Sequence, residues 1–168
     1  MELLKLSTEW AKAEVFSTRF FIFFAVLFSL ACVGFWQWGK TDLAKAYIIP
    51  TLVAGLLLMT IGLGLFYTNK SRITQFENEF KKDKQVFYES EIGRSESTLK
   101  EYKVVFKVIP TLIIMAAFVI LFIPTPTWRA IGITTITMLT IILLVDGTAH
   151  ARMEVYHKEL KLLVNSNY

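Results

Sequence analysis

Residues 104–123 read Val104-Val105-Phe106-Lys107-Val108-Ile109-Pro110-Thr111-Leu112-Ile113-Ile114-Met115-Ala116-Ala117-Phe118-Val119-Ile120-Leu121-Phe122-Ile123. Beyond Lys107 the run carries no charge, and its length is about the 20 residues that an α-helix needs to cross the hydrocarbon of a bilayer. Lys107 lies close enough to the end to snorkel toward water. Three further stretches, 20–38, 46–67 and 128–145, are apolar to the same degree, with no Lys, Arg, Asp or Glu in their middles. A helix on the surface of a soluble domain keeps its apolar residues to one stripe. These four blocks are apolar all round. The expected fold class is therefore an all-α integral membrane protein with four transmembrane helices.

Composition agrees with this reading. Hydrophobic residues make up 54% of the chain and the mean hydropathy is +0.50, against about 45–50% apolar in an ordinary soluble domain. The excess is gathered in the four blocks, and segments rich in Lys, Glu and Ser separate them. The net charge of +4 comes from basic residues that flank the blocks, as lipid-anchoring residues do. They form no basic stripe with exposed aromatics, so no nucleic-acid partner is expected. The single cysteine, Cys32, lies inside the first block and reads as a packing residue.

Orientation follows from the basic residues. Lys40, Lys45 and Arg129 lie in the two short loops after the first and third blocks, while the other fifteen of the 18 Lys and Arg lie in the N-terminal arm, the central segment and the C-terminal arm. The positive-inside rule then puts both termini and the central segment in the cytoplasm of a cell-membrane protein. Trp36, Trp38 and Trp128 fall at the opposite interface, where an aromatic belt forms. A cleaved signal peptide is not expected, because the arm before the first block carries Glu2, Glu9 and Glu14 and no A-x-A site follows the block.

The arms are patterned as helices. Leu3, Leu6, Trp10 and Ala13 make one narrow stripe, and Ile73, Phe76, Phe80 and Phe87 a second. Leu99, Tyr102 and Phe106 make a third, and Met153, Tyr156, Leu160 and Leu163 a fourth. Stripes this narrow suit the seams of a coiled-coil-like bundle, so four cytoplasmic arms are expected to extend the membrane bundle. Residues 69–103 are expected to form a helical hairpin. Its first helix would run from Asn69 to a C-cap at Gly93, and Thr98 with Glu101 would form the capping box of its second. Pro50 and Pro110 are expected in first turns, where a missing N–H costs little.

The two halves also echo one another. Arg72, Phe76, Glu79 and Lys81 recur at matching spacing as Arg152, Tyr156, Glu159 and Lys161. This suggests a parallel tandem repeat of a two-helix hairpin.

The candidate chemistry lies on the fourth helix. Asp146, His150, Glu154 and His157 fall on one face at i, i+4, i+8 and i+11, and the chain has no other histidine. His and carboxylate at this spacing can share a metal, and Glu154-x-x-His157 has the spacing used in di-iron bundles. The cofactor is not determined by the sequence; a divalent transition metal such as zinc, iron or manganese is the candidate, with Glu9, Glu14, Glu77 or Glu79 as further ligands. Di-iron bundles use a second Glu-x-x-His, which this chain lacks. Asp146, at the inner edge of its block, needs water or a cation, and Lys70, Arg72 and Lys107 are the candidate partners.

No phosphate-binding glycine loop, nucleophile motif or zinc-finger spacing is present. The leading expectation is a non-enzymatic membrane protein, an accessory, regulatory or immunity-type subunit whose partners are the lipid bilayer and either its own copies or another membrane protein. A membrane metalloprotein built on the fourth-helix cluster is the second reading. A subunit of an oligomeric channel or transporter is the third.

Overall fold

The computed structural model describes residues 1–165, with side chains as far as Leu163. Among these residues there are helices and no strands. Four helices are long: α1 spans Glu2–Trp38, α3 Ile48–Lys82, α4 Lys84–Phe122 and α5 Pro126–Asn165. A short α2, Asp42–Ala46, lies between α1 and α3. Each long helix runs without a break from a polar arm into an apolar block. The 37 residues of α1 make a rod about 55 Å long at 1.5 Å per residue. All four are long and apolar enough to cross a membrane, with mean hydropathies of 1.9 to 2.6 in their most apolar windows.

The reversals are built by local chemistry. Thr41 caps α2, its hydroxyl oxygen accepting from Ala44 N at 3.1 Å. Pro126 opens α5, where its fixed φ suits a first turn. Within 69–103 the chain breaks between helices at Asp83, and not at the expected Gly93. Asp83 is extended (φ −155°) and its carboxylate accepts from Gln85 N at 2.8 Å and Val86 N at 3.1 Å. Lys81 and Lys82 end the preceding helix and complement its dipole. The stop is therefore an acidic N-cap between two basic helix ends. Gly93 sits inside α4 with open space around it. Thr98 does not cap a helix, since its hydroxyl donates back to Arg94 O at 2.9 Å. Because α4 begins at Lys84, Pro110 also lies in a helix interior rather than in a first turn.

Packing divides the molecule in two. α1 lies along α3 and α4 along α5, and α1 meets α5 to join the hairpins. In the apolar half, Phe21, Ala25, Leu58 and Val145 form a small core. Close approach there rests on missing side chains. A Cβ on Gly55 would meet Ser29 Oγ at 3.0 Å and Ala25 O at 3.2 Å; one on Gly62 would meet Ile22 Cγ1 at 2.9 Å and Phe21 Cβ at 3.0 Å. Gly132 serves the α4–α5 contact in the same way, against Ile120 and Ala116 O. Small residues of this kind let apolar helices associate through van der Waals contact alone.

In the polar half, the four expected stripes turn inward. Trp10, Phe76, Phe87, Met153, Tyr156 and Leu160 form its core, with Leu3, Leu6, Ile73, Phe80, Leu99 and Tyr102 packed around them. Trp10 stacks on Tyr156 with centroids 5.3 Å apart, and Phe87 takes Phe76 and Phe80 edge-on at 5.6 and 5.8 Å.

Gly62→Leu is expected to destabilise the detergent-solubilised protein by roughly 1–3 kcal/mol through overpacking. Gly64→Leu, where a Cβ meets nothing within 4 Å, is expected to leave it unchanged. Thermal unfolding of both variants measures the difference.

Candidate functional site in the polar head

The polar half buries ionised groups in two layers. The outer layer centres on Glu91, 3% exposed on α4. Arg94, one turn along the same helix, grips it with two hydrogen bonds, Nε to Oε1 at 2.8 Å and Nη2 to Oε2 at 2.5 Å. The Tyr156 hydroxyl of α5 donates to the same carboxylate and lies 2.8 Å from Ser7 Oγ of α1. The Arg94 guanidinium lies over the Trp10 ring, 4.3 Å from its centroid. Burial and the Glu91 carboxylate both push the Tyr156 phenol upward from its ordinary pKa, so it stays a donor.

The inner layer pairs Glu14 of α1 with Arg152 of α5. Arg152 Nη2 lies 3.1 Å from Glu14 Oε1 and donates to Ser17 Oγ at 2.7 Å. Burial raises the Glu14 carboxyl above its ordinary pKa, and Arg152 opposes that rise.

Beside the inner layer lies a cavity of about 270 Å³. Trp10 and Met153 of the polar core line it on one side and Phe21 and Val145 of the apolar core on the other, so it sits at the junction of the two halves. All four long helices wall it. Its polar lining includes Glu14 from α1, Asn69 and Arg72 from α3, Glu101 and Tyr102 from α4, and Asp146 from α5.

The four residues picked out as candidate metal ligands take separate surroundings. His150 Nε2 lies 3.7 Å from Glu154 Oε1, and its ring meets Tyr102 and Phe106 edge-on, each at 5.3 Å. His157 turns to α4, with Nδ1 2.7 Å from Ser95 Oγ and Nε2 3.8 Å from Glu96 Oε1. Asp146 opens into the cavity. Only His150 and Glu154 are brought together; among the described residues no three of His, Cys, Asp and Glu gather as a metal site requires. The helix face is wide enough to aim its ends at different neighbours. Asp146 also forms no ion pair with Lys70, Arg72 or Lys107 among the described residues.

Sequence reasoning missed the Glu91–Arg94–Tyr156 network. Its one local signal was the i, i+3 spacing of Glu91 and Arg94, which also occurs in exposed helix pairs. The sequence offers Glu14 as a charge of the N-terminal arm and a further metal ligand, and its pairing with Arg152 depends on the α1–α5 contact. The chain matches no known protein family, no curated protein and no solved structure.

Removing one member of the buried outer pair strands the other. Glu91→Leu and Arg94→Met are each expected to cost about 3–5 kcal/mol, and the double variant less than the sum. Additive losses in denaturant unfolding would show that the pair is not coupled. A second measurement concerns the histidines. With the candidate ligands dispersed, zinc, iron and manganese are not expected to raise the Tm of untagged protein. A stoichiometric metal lost in the His150→Ala, His157→Ala double variant would show that the helix face gathers them after all.

Proposed function

We propose that the chain is a multi-pass integral membrane protein of non-enzymatic character, an accessory or regulatory subunit acting through helix contacts in the bilayer and through its four-helix head. The observation that carries this reading is the division of the same four helices into a half whose large side chains face outward and a half whose side chains face inward. Leu56, Leu121, Phe122 and Leu144 are 60%, 74%, 75% and 67% exposed. Lipid or another apolar helix covers such a surface without the penalty that water exacts. Two buried acid–base pairs of the head, Glu91 with Arg94 and Glu14 with Arg152, are answered within the chain, as structural groups are.

The distribution of Lys and Arg supports a head and both chain ends on the cytoplasmic side of the cell membrane. Trp36, Trp38 and Trp128 lie at the other end of the bundle, exposed where an interfacial belt belongs. The most apolar window of α4 is 6% buried, against 33% for α5, which favours α4 as the face that meets a second copy or a membrane partner.

The protein is expected to stay in the membrane pellet after alkaline carbonate extraction. Reporter fusions after Lys82 are expected to read as cytoplasmic, and an insertion at Thr41 as external. Release by carbonate, or an external reading after Lys82, would overturn the assignment.

A further inference from the structure

The junction cavity is lined by two opposite charges, neither of which has a direct ion pair among the described residues. Glu14 faces it already neutralised by Arg152. Glu101, exposed on α4, marks where the lining meets solvent. Arg72 and Asp146 remain. Arg72 is half-buried, donates from Nη1 to Asn69 Oδ1 at 3.0 Å and lies 6.0 Å from the Trp10 ring centroid; Glu91 and Glu14 act on it only at a distance, and it has no direct carboxylate partner among the described residues. Asp146 is half-buried as well and has neither a hydrogen bond nor an ion pair to its carboxylate among them. Asn69 is 4% exposed, and its amide nitrogen has no acceptor among the described residues. The Tyr102 hydroxyl, on the same cavity, is likewise without a partner there.

Groups of this kind are costly to withdraw from water unless something answers them. The donors of Arg72 and Asn69 are one turn apart on α3 and make an anion-accepting end. Asp146, on α5, makes a cation-accepting end. A lone anion on Arg72 would leave the Asp146 carboxylate unanswered, and a lone cation on Asp146 would leave Arg72 unanswered. A molecule bearing both charges satisfies both. The volume of about 270 Å³ is near the lower end of small-molecule sites, about 300–1,000 Å³, which limits the ligand to amino-acid size. We propose that this cavity binds a small free zwitterion carrying an ammonium and a carboxylate, its carboxylate on Arg72 and Asn69 and its ammonium on Asp146. The inference goes beyond the membrane assignment and does not rest on it, because it concerns a cavity enclosed by the chain's own four helices at the junction of the two halves.

Equilibrium binding to the full detergent-solubilised chain tests it. Glycine, γ-aminobutyrate and ε-aminocaproate carry the same two charges at increasing separation, and n-butylamine and butyrate carry one charge each. At least one of the three zwitterions is expected to bind about tenfold or more tightly than either singly charged probe. Arg72→Gln is expected to weaken that zwitterion about tenfold without weakening n-butylamine, and Asp146→Asn to weaken it about tenfold without weakening butyrate. Lys81→Gln, on the exposed face of α3, is expected to change nothing. Far-UV circular dichroism establishes that each variant is folded, and the comparison of probes on the unaltered chain decides the question if either variant is not. Binding of none of the zwitterions, or binding of butyrate or n-butylamine as tightly as the best of them, would overturn the proposal. So would zwitterion binding that survives both substitutions in folded protein.

Discussion

The Arg94 guanidinium is in reach of every long helix. It holds Glu91 on its own helix, lies over Trp10 of α1 at 4.3 Å, and approaches the rings of Phe76 on α3 and Tyr156 on α5, each at 5.7 Å. A buried cation is costly by itself, and here three aromatic faces and one carboxylate share in offsetting that cost. The arrangement works only when the four helices stand in one register. A shift of α5 by a turn would take Tyr156 away from Glu91, and a shift of α1 would uncover the guanidinium. Apolar stripes alone allow several registers at similar energy, so the polar network is what makes the head a single structure.

The apolar half follows a different rule. Outside its small core many of its large side chains face outward. Contact there depends on backbones coming close, which Gly55, Gly62 and Gly132 allow. The two halves thus hold the same helices together by opposite means. One uses large rings and charges interlocked around a centre; the other uses the absence of side chains along a line. Continuity of α1, α3, α4 and α5 through both halves carries alignment from the head into the apolar segments.

A cavity at the meeting of these regimes has a physical cause. Above it, bulky residues such as Trp10 and Met153 keep the helices apart; below it, small residues draw them together. The step between two packing distances leaves space, lined by apolar residues of both cores and by polar residues such as Asn69, Arg72 and Asp146, for which water or a polar guest is a fitting occupant.

The architecture was legible in the sequence because it depends on quantities that a sequence carries directly. Block length and the absence of charge from 20–38, 46–67, 104–123 and 128–145 marked the apolar segments, and narrow stripes such as Met153, Tyr156 and Leu160 marked the inward face of the head. Local capping was read in the wrong place. Gly93 and Thr98 offered familiar stop and start signals, yet Asp83 makes the turn, since a glycine inside a packed helix carries no obligation to end it. The candidate site was legible only as a helix face. Periodicity put Asp146, His150, Glu154 and His157 on one side of α5, but what each meets is set by helices that lie far away in sequence: Ser95 and Glu96 for His157, a cavity for Asp146. Partners such as Glu14 with Arg152, or Tyr156 with Glu91, are separated by most of the chain or by a whole hairpin. Helical spacing fixes directions around one axis, and only the packing of four axes decides which charges meet and which are left facing a void.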